Sequence, residues 1–301
     1  MSDPARPIFV AGATGQVAHA LVAAARRRGL PLVAHGRPAI DLERPEGIGA
    51  TIVAARPIAI VNAAAYTAVD KAESEPERAL AVNRDGAAAL ARAAAILDVP
   101  FIHLSTDYVF AGDKATAYVE ADPTAPASAY GRSKLAGEQA VAAAHAKSVV
   151  LRTAWVYGPH GANFVRTMLR LAGERDELRV VDDQRGSPTA APDIAEAILA
   201  IVATIGRTGW QESYAGVFHL TGGGETTWCG FARTIMAEAA ARGARSVPVT
   251  AIGTADFPTP ARRPANSRLD AGRLAEVFGI RLPPWQESLA ATLDELIGPR
   301  R

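Results

Sequence analysis

Short β-rich apolar runs recur along the chain at Pro7 to Ala11, Leu32 to His35, Ile58 to Asn62, Phe101 to Ser105 and Val149 to Thr153. Between them lie Ala- and Arg-rich stretches whose apolar spacing predicts amphipathic helices over Gly15 to Gly29, Pro76 to Leu97 and Ser128 to Ala146. The last of these opens after a turn-rich segment, Asp122-Pro-Thr-Ala-Pro-Ala. Strands that alternate with helices mean βαβ units. Because such units need right-handed crossovers, a twisted parallel sheet with helices on both faces is the economical packing. The expected fold is therefore α/β, a Rossmann-like doubly wound sheet.

After Trp155 the pattern loosens. Pro159, Gly161, the segment Asp182 to Pro192, the Gly222-Gly-Gly triplet and the stretch Phe257 to Pro264 interrupt it repeatedly, which suits a substrate-side region of loops and short elements. A further strand at Val217 to Thr221 can return to the main sheet, so the smaller domain is discontinuous. The division expected is a dinucleotide-binding domain of residues 1–156 plus about 188–221, and a substrate-binding domain of about 157–187 plus 222–301.

Composition narrows the class. The 301 residues are 49% hydrophobic and 21% charged, which argues against wholesale disorder. With 32 Lys+Arg against 31 Asp+Glu the formal net charge is +1, so no global basic field is available for nucleic acid. The single cysteine, Cys229, excludes an intrachain disulfide and paired-Cys zinc patterns, and fits a reducing cytoplasm. The opening residues run straight into a strand pattern without the form of a secretory signal, and Glu196 interrupts the apolar stretch Ile194 to Ile205, so no membrane span is expected.

The first strand ends in Gly12-Ala-Thr-Gly15, with Ala18 where the dinucleotide fingerprint has its third glycine. Glycine lets the backbone turn tightly and approach a pyrophosphate, and the helix that follows offers free N–H groups and a favourable dipole. Gly12, Thr14, Gly15, Gln16 and Val17 are thus candidate cofactor contacts. The second strand ends at His35-Gly-Arg37, followed by Asp41-Leu42, where ribose- or adenine-recognising side chains are expected. Arg37 suits a 2′-phosphate or is a solvated surface arginine, and Asp41 meets the adenosine part or caps the next helix.

Tyr130 and Lys134 stand four residues apart, which on a helix puts phenol and ammonium on one face. A phenol of ordinary pKa about 10 is a poor proton donor or acceptor at neutral pH, and a nearby positive charge brings it toward working range. The fourth strand delivers Ser105 and Thr106 at its carboxyl end, where ligands bind open α/β sheets. Of the two hydroxyls, Thr106 is the one expected on a substrate carbonyl.

Together Gly12-Ala-Thr-Gly15, Ser105-Thr-Asp-Tyr-Val-Phe110 and Tyr130-x-x-x-Lys134 resemble the extended short-chain dehydrogenase/reductase superfamily, which acts mainly on nucleotide sugars. Asn62-Ala-Ala-Ala-Tyr-Thr-Ala-Val-Asp-Lys-Ala-Glu73, Asp183-Gln-Arg-Gly-Ser-Pro-Thr189 and Arg263-Pro-Ala-Asn-Ser-Arg-Leu-Asp270 closely resemble the dTDP-4-dehydrorhamnose reductase family. Arg152-Thr-Ala-Trp-Val-Tyr157 and Asn163-Phe-Val-Arg-Thr-Met-Leu169 keep that family's order, so the resemblance runs nearly the whole chain.

The resemblance implies reduction of the C4 keto group of dTDP-4-dehydro-β-L-rhamnose with NADPH or NADH. Tyr130 would then protonate the developing alkoxide, Lys134 would lower the phenol's pKa and hold the nicotinamide ribose, and Thr106 would orient the carbonyl. It further implies Ala63, Ala64 and Ala65 along the dinucleotide, and Ser105, Asp107, Trp155, Gln184, Arg263 and Asn266 at the substrate. Which of Arg262, Arg263 and Arg268 turns inward for the diphosphate stays open.

Some relatives bind Mg2+ at a dimer interface through glutamates, one early in the first helix, and the corresponding residue here is Ala20. A metal-bridged dimer lacks that ligand, and the expectation is monomer or homodimer with no metal. Two other functions fit parts of the pattern. One is a nucleotide-sugar epimerase or dehydratase that retains NAD, although Tyr108 after Asp107 lacks the dehydratase carboxylate. The other is a non-catalytic regulatory subunit resembling that of methionine adenosyltransferase.

Overall fold

The computed structural model describes residues 6–300. Five strands, β1 (Ile8–Ala11), β2 (Leu32–His35), β3 (Ala59–Asn62), β4 (Phe101–Thr106) and β5 (Ser148–Thr153), join an edge strand Gly216–His219 in one six-stranded sheet. Its order is β2-β1-β3-β4-β5 followed by the edge strand, and every pair is parallel. One strand lies on the far side of β1 and four on the near side, so the chain reverses its direction of winding between β1 and β3. That reversal is the topological switch point where open α/β sheets take ligands.

Alternation along the strands sorts their side chains into two layers. Ile8, Val10, Ala59, Val61, Ile102, Val149 and Leu151 face a core shared with helix α1 (Gln16–Arg27) and the Ala191–Thr208 helix. Phe9, Ala11, Ile60, Phe101 and Val150 face the opposite core, built from the Ile48–Ala55 and Ala87–Leu97 helices. Both faces are thus covered, as near-continuous apolar parallel strands require. The 76–97 stretch is not one uniform helix. It runs Pro76–Leu80, then a π-helical turn Ala81–Gly86, then Ala87–Leu97. The turn carries buried Asn83, whose amide is saturated by the backbone N–H and carbonyl of Tyr66 and the Ser133 hydroxyl.

A separate apolar cluster contains Met168, Phe231, Trp285 and Leu289, drawn from the helices Phe164–Glu174, Trp228–Ala240 and Trp285–Ile297, with Tyr157 from the short strand Val156–Tyr157. Beside it Leu178–Val181 pairs with Val249–Ile252 in a two-stranded parallel sheet. The short Gly272–Phe278 helix lies elsewhere: its Leu274 and Phe278 pack into the central-sheet core with Phe218. Ala20 is buried in α1. Among the described residues, no helix is long and apolar enough to cross a membrane.

One buried ion pair links β5 to the helix that carries Tyr130. Arg152 donates to both carboxylate oxygens of Glu138 at 2.9 and 2.6 Å, and the two side chains are only 4% and 5% exposed. The Ser105 hydroxyl donates to the same carboxylate, and the Phe110 ring lies 4.9 Å from the guanidinium. Removing one partner strands the other charge in the interior. Arg152→Ala is expected to cost roughly 3–5 kcal/mol in urea denaturation, whereas the double variant Glu138→Leu/Arg152→Leu recovers most of it.

Candidate active site

The carboxyl ends of β1, β3, β4 and β5 open on one cleft of about 760 Å³. At its floor Gly12 has φ +111°, and a Cβ there would sit 3.2 Å from the backbone of Ala63 and Ala64. Only glycine makes that turn and lets the loop after β1 lie against the end of β3. Gly15 then starts α1 without a side-chain cap, and the first turn of the helix contains no acidic residue. Its leading N–H groups and the positive end of its dipole are therefore left for an anion, the arrangement a dinucleotide pyrophosphate needs.

Thr14, Gln16, Val17, Arg37, Asp41, Leu42 and Ala65 line the same cleft. Gln16 accepts from the Asn163 amide at 2.9 Å, and Asn163 N-caps the Phe164–Glu174 helix. Asp41 is locally engaged, accepting from the Glu43 backbone N–H at 3.1 Å. The Arg37 guanidinium is two-thirds exposed and stands 3.7 Å from Glu43, which Arg78 also binds.

At the other end of the cleft, β4 delivers Ser105 and Thr106, the turn after it Asp107, and the Ala129–Ala144 helix delivers Tyr130 and Lys134. Ser128 caps that helix, its hydroxyl accepting from the Gly131 N–H at 3.1 Å, which sets the axis on which the four-residue spacing acts. Lys134 is buried and donates to the Leu104 carbonyl at 2.7 Å. Burial pulls its ammonium down to about 8, with the Glu138 carboxylate one turn along opposing the fall.

The spacing alone predicts that Lys134 lowers the Tyr130 phenol, but here the opposite direction holds. Burial pushes the phenol up, the Thr106 hydroxyl draws it back, and Asp107 and Tyr108 push it up again. Tyr108 meets Tyr130 edge-on at 5.5 Å. The phenol is thus firmly protonated. Asp107 is buried as well, taking a hydrogen bond from Thr106 at 3.0 Å while its second oxygen has no partner, and burial raises its carboxyl to about 6. His103, beneath this layer, is held well below its ordinary range by burial and by Lys134.

Trp155 lines the cleft just beyond β5, whereas Gln184, Arg263 and Asn266 do not. Asn266 is spent internally, its amide donating to the carbonyls of Lys114 and Thr116 and its oxygen accepting from Arg268. Gln184 donates to the Thr254 hydroxyl. Arg263 pairs with Asp70 at 2.6 Å, and with Arg262 it lines a second cavity of about 420 Å³. Arg268 is absorbed by Glu225 and the Ala115 carbonyl. The cleft also contains Glu43, Thr67, Tyr108 and Thr153. Thr67, Tyr108 and Thr153 lie within stretches that carry the family resemblance, whereas Glu43 has no such signal. Among the described residues, no group of three or more His, Cys, Asp or Glu is placed to hold a metal.

A doubly wound parallel sheet, a glycine turn feeding an uncapped helix and a Tyr/Lys pair in the same cleft define a dinucleotide-binding protein of the extended short-chain dehydrogenase/reductase class. Residues 6–297 match the family described as RmlD substrate binding domain. The dTDP-4-dehydrorhamnose reductase of Sinorhizobium fredii is 52% identical over 284 residues, covering 93% of this chain and 94% of that relative. A crystal structure of the dTDP-4-dehydrorhamnose reductase of Clostridium acetobutylicum superposes with TM-score 0.89 at 34% identity, covering 96% of this chain and 99% of that one. That of Bacillus anthracis, in complex with NADP, superposes with TM-score 0.88 at 33% identity over 96% and 99%. The chain belongs to the dTDP-4-dehydrorhamnose reductase family.

The raised Asp107 carboxyl carries a stability signature. Its folded pKa of about 6 lies above the ordinary value of 3.8, so the protein holds this stability fully below about pH 4 and loses it as pH rises through 6. Urea denaturation between pH 4 and 7 is expected to show a loss of roughly 2–3 kcal/mol from this group that Asp107→Asn lacks.

Proposed function

We propose that this protein reduces the C4 keto group of dTDP-4-dehydro-β-L-rhamnose to the hydroxyl of dTDP-β-L-rhamnose, using NADPH or NADH, in the cytoplasm. The observation that carries this reading is that one cleft holds the Gly12–Gly15 turn at one end and Thr106, Tyr130 and Lys134 at the other, in a chain of this family. The nicotinamide cofactor supplies the hydride.

The placement of these residues supports a part for each. The N-terminus of α1, with Gly12, Thr14, Gly15, Gln16 and Val17, cradles the pyrophosphate, and Ala63 to Ala65 present a small-residue wall along the dinucleotide. Arg37, Asp41 and Leu42 border the adenosine end. The Thr106 hydroxyl, beside Tyr130, orients the keto oxygen. Tyr130 is the acid: its phenol is protonated at working pH and gives its proton to the oxygen as negative charge builds there. Lys134 remains charged near neutrality and would hold the nicotinamide ribose with its ammonium. Asp107 and Trp155 bound the sugar, and the second cavity, with Arg262 and Arg263, suits the diphosphate and base because guanidinium geometry matches phosphate.

Substitution of the acid tests this assignment. Tyr130→Phe is expected to lose roughly a hundred- to ten-thousand-fold in kcat with NADPH affinity nearly unchanged, read from loss of reduced-nicotinamide absorbance with freshly generated keto-sugar. A wild-type kcat in that variant refutes the proton-donor role. Lys134→Ala is expected to weaken both kcat and cofactor binding. Nicotinamide oxidation coupled to a product of the mass of dTDP-rhamnose establishes the reaction, and oxidation absent with cofactor still bound refutes it.

A further inference from the structure

Trp155 holds a left-handed backbone, φ +50°, which an indole-bearing residue adopts only when its surroundings enforce it. Two contacts do so. Its ring stacks on Trp228 with centroids 3.6 Å apart and planes 11° from parallel. Trp228 opens the Trp228–Ala240 helix, which Thr227 caps by accepting from the Gly230 N–H at 2.9 Å. Phe164 supports Trp228 at 4.6 Å and stacks in turn on Phe231 at 5.5 Å. The second contact is Gly186, where a Cβ would fall 2.4 Å from Cε2 of the Trp155 ring and 2.7 Å from Nε1. No other residue leaves room for the indole in this position. Neither Trp228 nor Gly186 lines the cleft, whereas Trp155 does.

We propose that Trp228 and Gly186 are positioning residues that fix the Trp155 indole as a preformed wall for the sugar, so that recognition of the keto-sugar depends on two residues that never touch it. The proposal rests on the assignment of Trp155 to the sugar made above. With one face covered by Trp228 and its edge against the Arg185–Gly186 strand, the indole has no freedom to turn, and substrate binding spends nothing on ordering it. Both supports come from the loop-rich stretch after Trp155, so the strand-end tryptophan is aimed by residues distant in sequence.

The test compares Trp228→Ala, Trp228→Phe and Gly186→Ala with Trp155→Ala as reference. The readouts are the far-ultraviolet exciton couplet of the two stacked indoles, the NADPH dissociation constant, and kcat and KM for the keto-sugar. Trp228→Ala is expected to abolish the couplet and raise KM about tenfold, with kcat within about threefold of wild type and NADPH affinity unchanged. Trp228→Phe, which keeps a ring under Trp155, is expected to recover most of the KM. Gly186→Ala is expected to alter the couplet and raise KM in the same direction, and it decides the matter should Trp228→Ala not fold. Loss of the couplet with a wild-type KM overturns the proposal, as does a KM increase matched by an equal loss of NADPH affinity, which marks general loosening. A wild-type KM in Trp155→Ala instead overturns the sugar assignment beneath it, and the proposal with it.

Discussion

The parallel register of four strands is the constraint on which the cleft depends. Ala11 pairs with Asn62, Asn62 with His103, and Thr106 with Thr153, so β1, β3, β4 and β5 all end at one edge of the sheet. Each strand end passes a different chemical group to that edge: a glycine turn, a run of small residues, hydroxyls beside a carboxyl, and an indole. Because the winding reverses between β1 and β3, the loops leaving those strands diverge and open a crevice rather than covering it.

A buried polar layer backs the crevice. Arg152, Glu138, Ser105, Lys134 and His103 are all buried or nearly so, and the ion pair at its centre ties β5 to the helix that carries Tyr130. Tyr130, Lys134 and Glu138 follow one another at four-residue intervals, so a single helix face presents a phenol, an ammonium and the carboxylate that supports the ammonium's charge. Low polarity around them strengthens every interaction within the cluster and makes an unpaired member costly. The same burial keeps the phenol protonated and the Asp107 carboxyl raised while pulling the Lys134 ammonium and the His103 imidazole down, so in each case it favours the uncharged form.

Local pattern served best where the physics is local. The five expected strands fall within a residue or so of those observed, because a parallel sheet buried on both faces draws each strand as a short, near-continuous apolar run. The glycine turn and the Tyr/Lys helix were legible for the same reason, each being a short backbone geometry with a residue requirement. The π-helical turn at Ala81–Gly86 was not legible, since what supports it is Asn83 meeting Tyr66 and Ser133 from other elements. Nor did the sequence place Asn266, whose amide is consumed by carbonyls about 150 positions away.

By itself the sequence determined the doubly wound sheet, the glycine turn before α1 and the pairing of Tyr130 with Lys134, because periodicity and short-range spacing specify backbone shape and helix faces. The tertiary structure alone decided the direction of each pKa, the separation of Arg262 and Arg263 from Arg268, and the locking of Trp155 between Trp228 and Gly186. Those outcomes depend on burial and on contacts between segments far apart in the chain, and neither leaves a trace in local spacing.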